Sequence, residues 1–198
     1  MARLFSGCLL ATMAMALHAW AADTPPDEIL RFDSARSTAD FSVKVLWMIP
    51  VDGQFGEVRG EVAIDRFRSQ ARVTAHIDAG GVTMRRTSNE NWVKSEEFFD
   101  VANHPRIHFR SEAFPLSRLR SGGELPGILS MRGIEQPVLF SIAHSTCARP
   151  AIDCPVEASG EVKRSAFGMR TRRATLSDKV ELGFSVRVMD PPPGPSVQ

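Results

Sequence analysis

The chain has no excess of either charge, few cysteines and no apolar run long enough to cross a membrane. Its formal charge is +1 over 198 residues, so no bulk field draws it to nucleic acid. The longest apolar run, Leu9 to Leu17, falls short of the ~20 residues a spanning helix needs. Three cysteines occur, without the close C-x₂₋₄-C pairing of a zinc site. A G-x-S-x-G nucleophile elbow, an H-E-x-x-H helix and a phosphate-cradling glycine loop are all missing. No catalytic and no metal-ligating residue is assigned. His104 and His108, read on one strand, would hold their Cα atoms ~13 Å apart, too far to share an ion, and Pro105 breaks the geometry further.

What is present begins with an N-terminal export pattern. Arg3 precedes the apolar run, and Ala19-Trp20-Ala21 supplies an A-x-A cleavage site, so residues 1–21 read as a signal peptide and the destination as the periplasm. Cys8 lies before the apolar run, which is the wrong side for a lipoprotein box. Cleavage removes Arg3 and leaves the formal charges balanced. It also leaves only Cys147 and Cys154, for which an oxidising compartment makes a disulfide the natural state. A loop this short gives roughly 2–3 kcal/mol by chain entropy. Residues 22–36 read as an N-terminal extension, 37–190 as one domain, and 191–198 as a proline-rich disordered tail.

Period-2 alternation dominates that domain. Ala39, Phe41, Val43, Val45 and Trp47 share one face against Asp40, Ser42 and Lys44. Val62 and Ile64, then Val73, Ala75 and Ile77, repeat the pattern. So do Ile107 and Phe109, Leu129 and Met131, and Val138, Phe140 and Ile142. A segment near Val156–Val162 joins them, and Val180, Leu182, Phe184, Val186 and Val188 give the cleanest case. About eight strands with one wet face predict an all-β antiparallel sheet, and closure into a barrel would remove its edges. Residues 80–100 lack alternation. They read as a crossover with one or two short helices near residues 85–100, Ser95 serving as an N-cap, lying across a barrel mouth.

Several segments in order, FSVKV, Gly53-Gln54-Phe55, KSEEFFDVANHPRIHFRS, GILSMRGIEQPV, RSAFGM and LSDKVEL, resemble the YceI-like family of exported lipocalin-like proteins, from about Ala39 to Val188. The resemblance implies an extended lipocalin-like barrel whose tunnel holds a polyisoprenoid or an isoprenoid quinone, and no reaction. The chain departs from the family pattern at Val45, where many members have histidine, at Glu90 and Trp92, within an Arg-Asp-x-His-Leu type stretch, and at Ala166, in place of an acid in R-S-D-F-G. The backbone frame therefore carries over further than the polar groups at the mouth.

On this reading Phe41, Val43, Val45, Trp47, Phe55, Trp92, Phe98, Phe99, Phe109, Met131, Phe140, Phe167 and Phe184 contact the ligand. Each is also consistent with ordinary core. Phe98 and Phe99 cover the barrel end, either as a core plug or as a greasy lid. The basic run KRSAFGMRTRR is either a solvated hairpin or a basic mouth in which Arg164 and Arg170 meet a polar head group. No cofactor is implied beyond a bound isoprenoid lipid or quinone. The leading expectation is an exported, non-catalytic binding protein that transports or stores a long apolar lipid, with transient membrane-surface or envelope-protein contact and a homodimer left open. Two rivals stand beside it. A filled barrel that modulates an envelope partner, such as a membrane redox protein, requires an exposed apolar patch around Phe98 and Phe99. An enzyme acting on a bound lipid would use Arg164 or Glu90.

Overall fold

The computed structural model describes residues 26–172 and 174–190. The signal segment, Cys8, Arg173 and the 191–198 tail lie outside them. Twelve strands form one antiparallel sheet. They are β1 (Glu28–Arg31), β2 (Thr38–Val45), β3 (Ile49–Gln54), β4 (Val58–Asp65), β5 (Gln70–Asp78), β6 (Thr83–Met84), β7 (Arg106–Ser111), β8 (Phe114–Pro115), β9 (Gly123–Met131), β10 (Ile134–Ile142), β11 (Val156–Lys163) and β12 (Leu176–Val186). Two helices, α1 (Thr87–Lys94) and α2 (Arg118–Ser121), and a 3-10 turn, Arg164–Phe167, interrupt them.

The strand order is β1-β4-β5-β7-β9-β10-β11-β12-β2-β3-β6, with β8 paired to β5. The first eight strands of that order follow one another around a curl. Just past β1 and β12 the two sides meet, where Phe32 bridges Val188. There Asp33 N–H donates to the Arg187 carbonyl at 2.8 Å, and Met189 N–H to the Arg31 carbonyl at 2.8 Å. This seam makes a lipocalin-like barrel of the eight, while β2, β3 and β6 continue from β12 as a flap beside α1.

The alternation read from the sequence sets the faces. In β7 Ile107 and Phe109 are buried while Arg106, His108 and Arg110 are exposed. Val180 and Leu182 of β12, Leu129 and Met131 of β9, and Phe140 and Ile142 of β10 all enter the core. Cys147 and Cys154 form a disulfide.

Three expectations change, and one strand, β3, was not anticipated. Residues 28–31, assigned to an extension, pair with β4 from Glu28↔Ile64 to Arg31↔Glu61; four residues were too few to show a period. Trp47 does not continue the inward face of β2. The strand ends at Val45, and Leu46 and Trp47 take φ of 50° and 66°, so Trp47 is 64% exposed. The three-residue turn 46–48 leads into β3, a strand that Pro50 and Asp52-Gly53 leave without a strand signal. Pro50 is tolerated because β6 pairs only with Gly53 and Gln54, leaving the start of β3 at the sheet margin. Finally, Ser95 does not open a helix. It closes α1, its hydroxyl donating to the Trp92 carbonyl at 2.7 Å.

At the seam, Phe32 lies against Gly60, where an added Cβ would stand 2.3 Å from the Thr74 carbonyl oxygen and 2.7 Å from the Phe32 ring. Backbone cannot yield there as a flexible side chain could. Gly60→Ala is therefore expected to destabilise the fold by about 1–3 kcal/mol through overpacking. Denaturant unfolding measures this, and an unchanged midpoint would contradict it.

Candidate functional site

The inward face of β12 runs from one hollow to another. Phe184, Val186 and the following Val188 line a cavity of about 120 Å³ inside the eight-strand curl. Every residue on its wall is apolar, including Leu30, Val62, Val73, Phe109, Phe114, Leu125 and Phe140. At the other end of β12, Leu176 lines a second hollow of about 170 Å³ with Val43, Val45, Val51, Met84, Trp92 and Val93. Asn89, Arg172 and Thr175 give this one a polar rim. Among the described residues none lines both hollows.

Val180 and Leu182, between these ends of β12, are buried. Leu182 pairs with Phe41 of β2, and at that level the interior is filled by aromatic rings. Phe41 meets Phe55 at 5.1 Å and Phe99 at 5.6 Å, and Phe55 meets Phe99 at 5.4 Å. Phe98 abuts Phe99 at 4.8 Å and Trp92 at 5.1 Å. The single tunnel expected from the resemblance is thus two hollows with an aromatic plug between them. Phe109 and Phe184 flank Phe140 at 5.1 and 5.2 Å on the far side.

Phe98 and Phe99 are 1% and 3% exposed, so the apolar patch required by the filled-barrel rival is not at these residues. Neither belongs to a strand. They follow α1 in a turn, where Phe99 N–H donates to the Val93 carbonyl at 2.9 Å, and a turn lets adjacent side chains point inward together. Arg132, in the tight β9–β10 turn, donates to the Glu96 carbonyl at 2.8 Å and also to the Phe98 carbonyl. Its role was not legible beforehand, because a cation beside a glycine in a hairpin reads as a solvated turn.

The remaining expected contacts divide. Phe109, Phe140 and Phe184 line the curl's cavity, and Val43, Val45 and Trp92 the second hollow. Phe41 and Phe55 belong to the plug, while Phe167 and Met131 are buried in the core and line neither hollow. Trp47 faces outward.

Arg164 is not at a mouth. It is 1% exposed, and its guanidinium donates to the carbonyls of Ser177 at 2.9 Å, Met169 at 2.7 Å and Leu176 at 3.2 Å. The loop before β12 wraps around it. Next to it, Ser165 donates from N–H and Oγ to Asp178 at 2.9 and 2.7 Å. A buried arginine bound to three carbonyls holds backbone and is not available to a head group. Arg170 is exposed. Arg172 supplies the rim cation instead, its guanidinium 4.9 Å above the Trp92 ring and 3.8 Å from Glu97. Trp92 Nε1 donates to the same Glu97 at 2.9 Å. Glu90 is taken up by Lys94 at 2.9 Å, whose ammonium holds the carboxyl below its ordinary value.

The disulfide-closed loop forms the far wall of the curl's cavity through Pro150, Ala151 and Ile152. Val188 N–H donates to the Ala151 carbonyl at 2.9 Å, and Arg187 to the Ile152 carbonyl at 3.1 Å. On the outer face, His108 sits opposite His76 of β5 with Nδ1 atoms 2.6 Å apart. Among the described residues no three His, Cys, Asp or Glu side chains converge as a metal site. Desolvation first, then the charges of His76 and Arg106, push His108 below its ordinary 6.5.

This arrangement, a curled antiparallel sheet around an apolar interior, is the lipocalin-like fold. The chain belongs to the YceI-like family, whose domain model matches residues 30–188. A UPF0312 protein of Staphylococcus aureus strain USA300 is 25% identical over 162 residues, 79% of this chain and 91% of the relative. BcnA of Burkholderia cenocepacia superposes with a TM-score of 0.65 at 20% identity, covering 78% of this chain and 98% of that one. A polyisoprenoid-binding domain from Saccharophagus degradans, implicated in plant cell wall breakdown, superposes with a TM-score of 0.60 at 10% identity, covering 83% and 100%.

Two outcomes follow from these contacts. Replacing Cys147 and Cys154 together with serine should remove about 2–3 kcal/mol from unfolding; equal stability in urea would show that the loop is held without the bond. For the histidine pair, the folded state binds fewer protons than the unfolded one, because His108 is depressed from 6.5. Stability should therefore be fully present above that value and fall as pH drops through the folded value. His108→Gln should flatten the slope of stability between about pH 5 and 7.5, and an unchanged slope would contradict the pairing.

Proposed function

We propose that the protein is exported to the periplasm and holds one long apolar lipid, a polyisoprenoid or an isoprenoid quinone, for transport or storage and without transforming it. The observation that carries this reading is the all-apolar wall of the curl's cavity. A hydrocarbon tail gains roughly 0.8 kcal/mol per CH₂ removed from water there, so affinity needs few polar contacts. Among the described residues no ionisable group stands on that wall to move a proton, which favours holding over turnover. The described Cys147–Cys154 disulfide supports an oxidising compartment, in keeping with the signal pattern at residues 1–21. The likeness to a domain described as polyisoprenoid-binding supports the ligand class.

Size shapes the mechanism. A cavity of about 120 Å³ is smaller than the ~150 Å³ engineered cavity that accepts benzene. Inside the barrel a long tail therefore fits by spanning both hollows with the plug displaced. Phe98 and Phe99 hang on the crossover and not on a strand, so they swing aside without breaking the sheet's ladder. A polar head then rests against Asn89, Thr175 and Arg172 at the second rim.

Incubation with an isoprenoid quinone followed by native mass spectrometry should give a one-to-one complex. Phe99→Leu should load faster while losing about 1–2 kcal/mol of stability. Absence of any quinone adduct at saturating ligand, for the native protein and for the variant alike, would overturn the reading.

A further inference from the structure

The β2–β3 turn combines two features that folding does not call for. Leu46 and Trp47 hold positive φ, 50° and 66°, a conformation that tight hairpins ordinarily give to Asn and Gly. The turn is closed by Met48 N–H donating to the Val45 carbonyl at 3.3 Å. The residues placed there are large, apolar and outside the core: Leu46 is 52% exposed, Trp47 64%, Met48 81% and Ile49 55%. Four consecutive side chains of this kind form a contiguous apolar tip, and a strained non-glycine turn points to a use beyond packing.

Cations surround the tip. Ile49 shares a groove with Arg85 and Arg86, both exposed and neither ion-paired with a carboxylate among the described residues. Leu46 N–H donates to the Thr175 carbonyl at 2.7 Å, which brings Thr175 and Arg172 alongside, the latter 3.8 Å from Glu97. Lys44, directly opposite Pro50, is only 4.0 Å from its partner Glu181. The acids of the same groove stand further from the tip: Asp52 pairs with Ser42, and Asp40 with Gln54, some 10–16 Å along the strands.

We propose that the Leu46–Ile49 tip docks the protein onto an anionic lipid bilayer. Trp47 sits at the headgroup level, Met48 and Ile49 enter the acyl boundary, and Arg85, Arg86 and Arg172 meet lipid phosphates. Val45, Val51 and Met84 line the hollow directly behind this turn, so docking turns that hollow's rim toward the membrane. The docking rests on the tip's own chemistry and stands whether or not the interior takes a lipid.

The test uses vesicles of phosphatidylethanolamine and phosphatidylglycerol, three to one, with dibrominated acyl chains that quench indole on contact. The difference between the mature protein and its Trp47→Phe variant isolates the Trp47 emission from that of Trp92. More than half of that component should be lost at saturating vesicles. Partition should fall at least tenfold in 0.5 M salt or when Arg85 and Arg86 are both changed to Gln. Trp47 emission indifferent to these vesicles would overturn the proposal, and so would equal partition onto neutral phosphatidylcholine vesicles. Burial of Trp47 in a concentration-dependent dimer without vesicles would overturn it too, making the tip a contact between copies.

Discussion

Phe41, Phe55 and Phe99 pack within 5.1, 5.4 and 5.6 Å of one another at the level of Leu182, and the rest of the interior is arranged around that contact. Edge-on and tilted ring packing adds specific geometry to the burial of large apolar area, so the plug fixes how the crossover sits on the sheet. It also divides the interior. On one side lies the apolar cavity walled by the disulfide loop, on the other the hollow rimmed by Asn89, Thr175 and Arg172.

Two buried or half-buried arginines hold this frame from outside the plug. Arg132 reaches from a hairpin turn to the carbonyls of Glu96 and Phe98 and fixes the crossover that carries Phe98 and Phe99. Arg164 binds the Met169 carbonyl of the loop before β12 and the Leu176 and Ser177 carbonyls at the start of β12, the strand whose inward face spans both hollows. Charge-assisted bonds to carbonyls are stronger than neutral ones, and a guanidinium can satisfy several acceptors that would otherwise lie unpaired. These cations therefore define the shape of the interior without entering it.

Much of this was legible because a period of two is a direct readout of sheet faces. Phe109, Phe140 and Phe184 were placed inward by alternation alone, and the two cysteines were paired by compartment and number. The failures have particular causes. Alternation ran past the true end of β2 because nothing in Val45-Leu46-Trp47-Met48 carries a turn residue, so Trp47 was assigned to a wall it does not touch. β3 was hidden by Pro50 and Asp52-Gly53, which mark turns more often than margins. Arg164 lay in a basic run that reads as solvated surface, and only its three carbonyl acceptors show that it is core. A plug formed by residues 41, 55 and 99 is a tertiary fact with no local signature.

The most direct measurement is a crystal structure of the protein loaded with an isoprenoid quinone. Continuous density should run from the hollow beside Val43 and Leu176, past a displaced Phe99, into the cavity beside Phe140 and Phe184. Quinone density confined to the outer surface, with Phe41, Phe55 and Phe99 still in mutual contact, would contradict an interior built to hold a lipid.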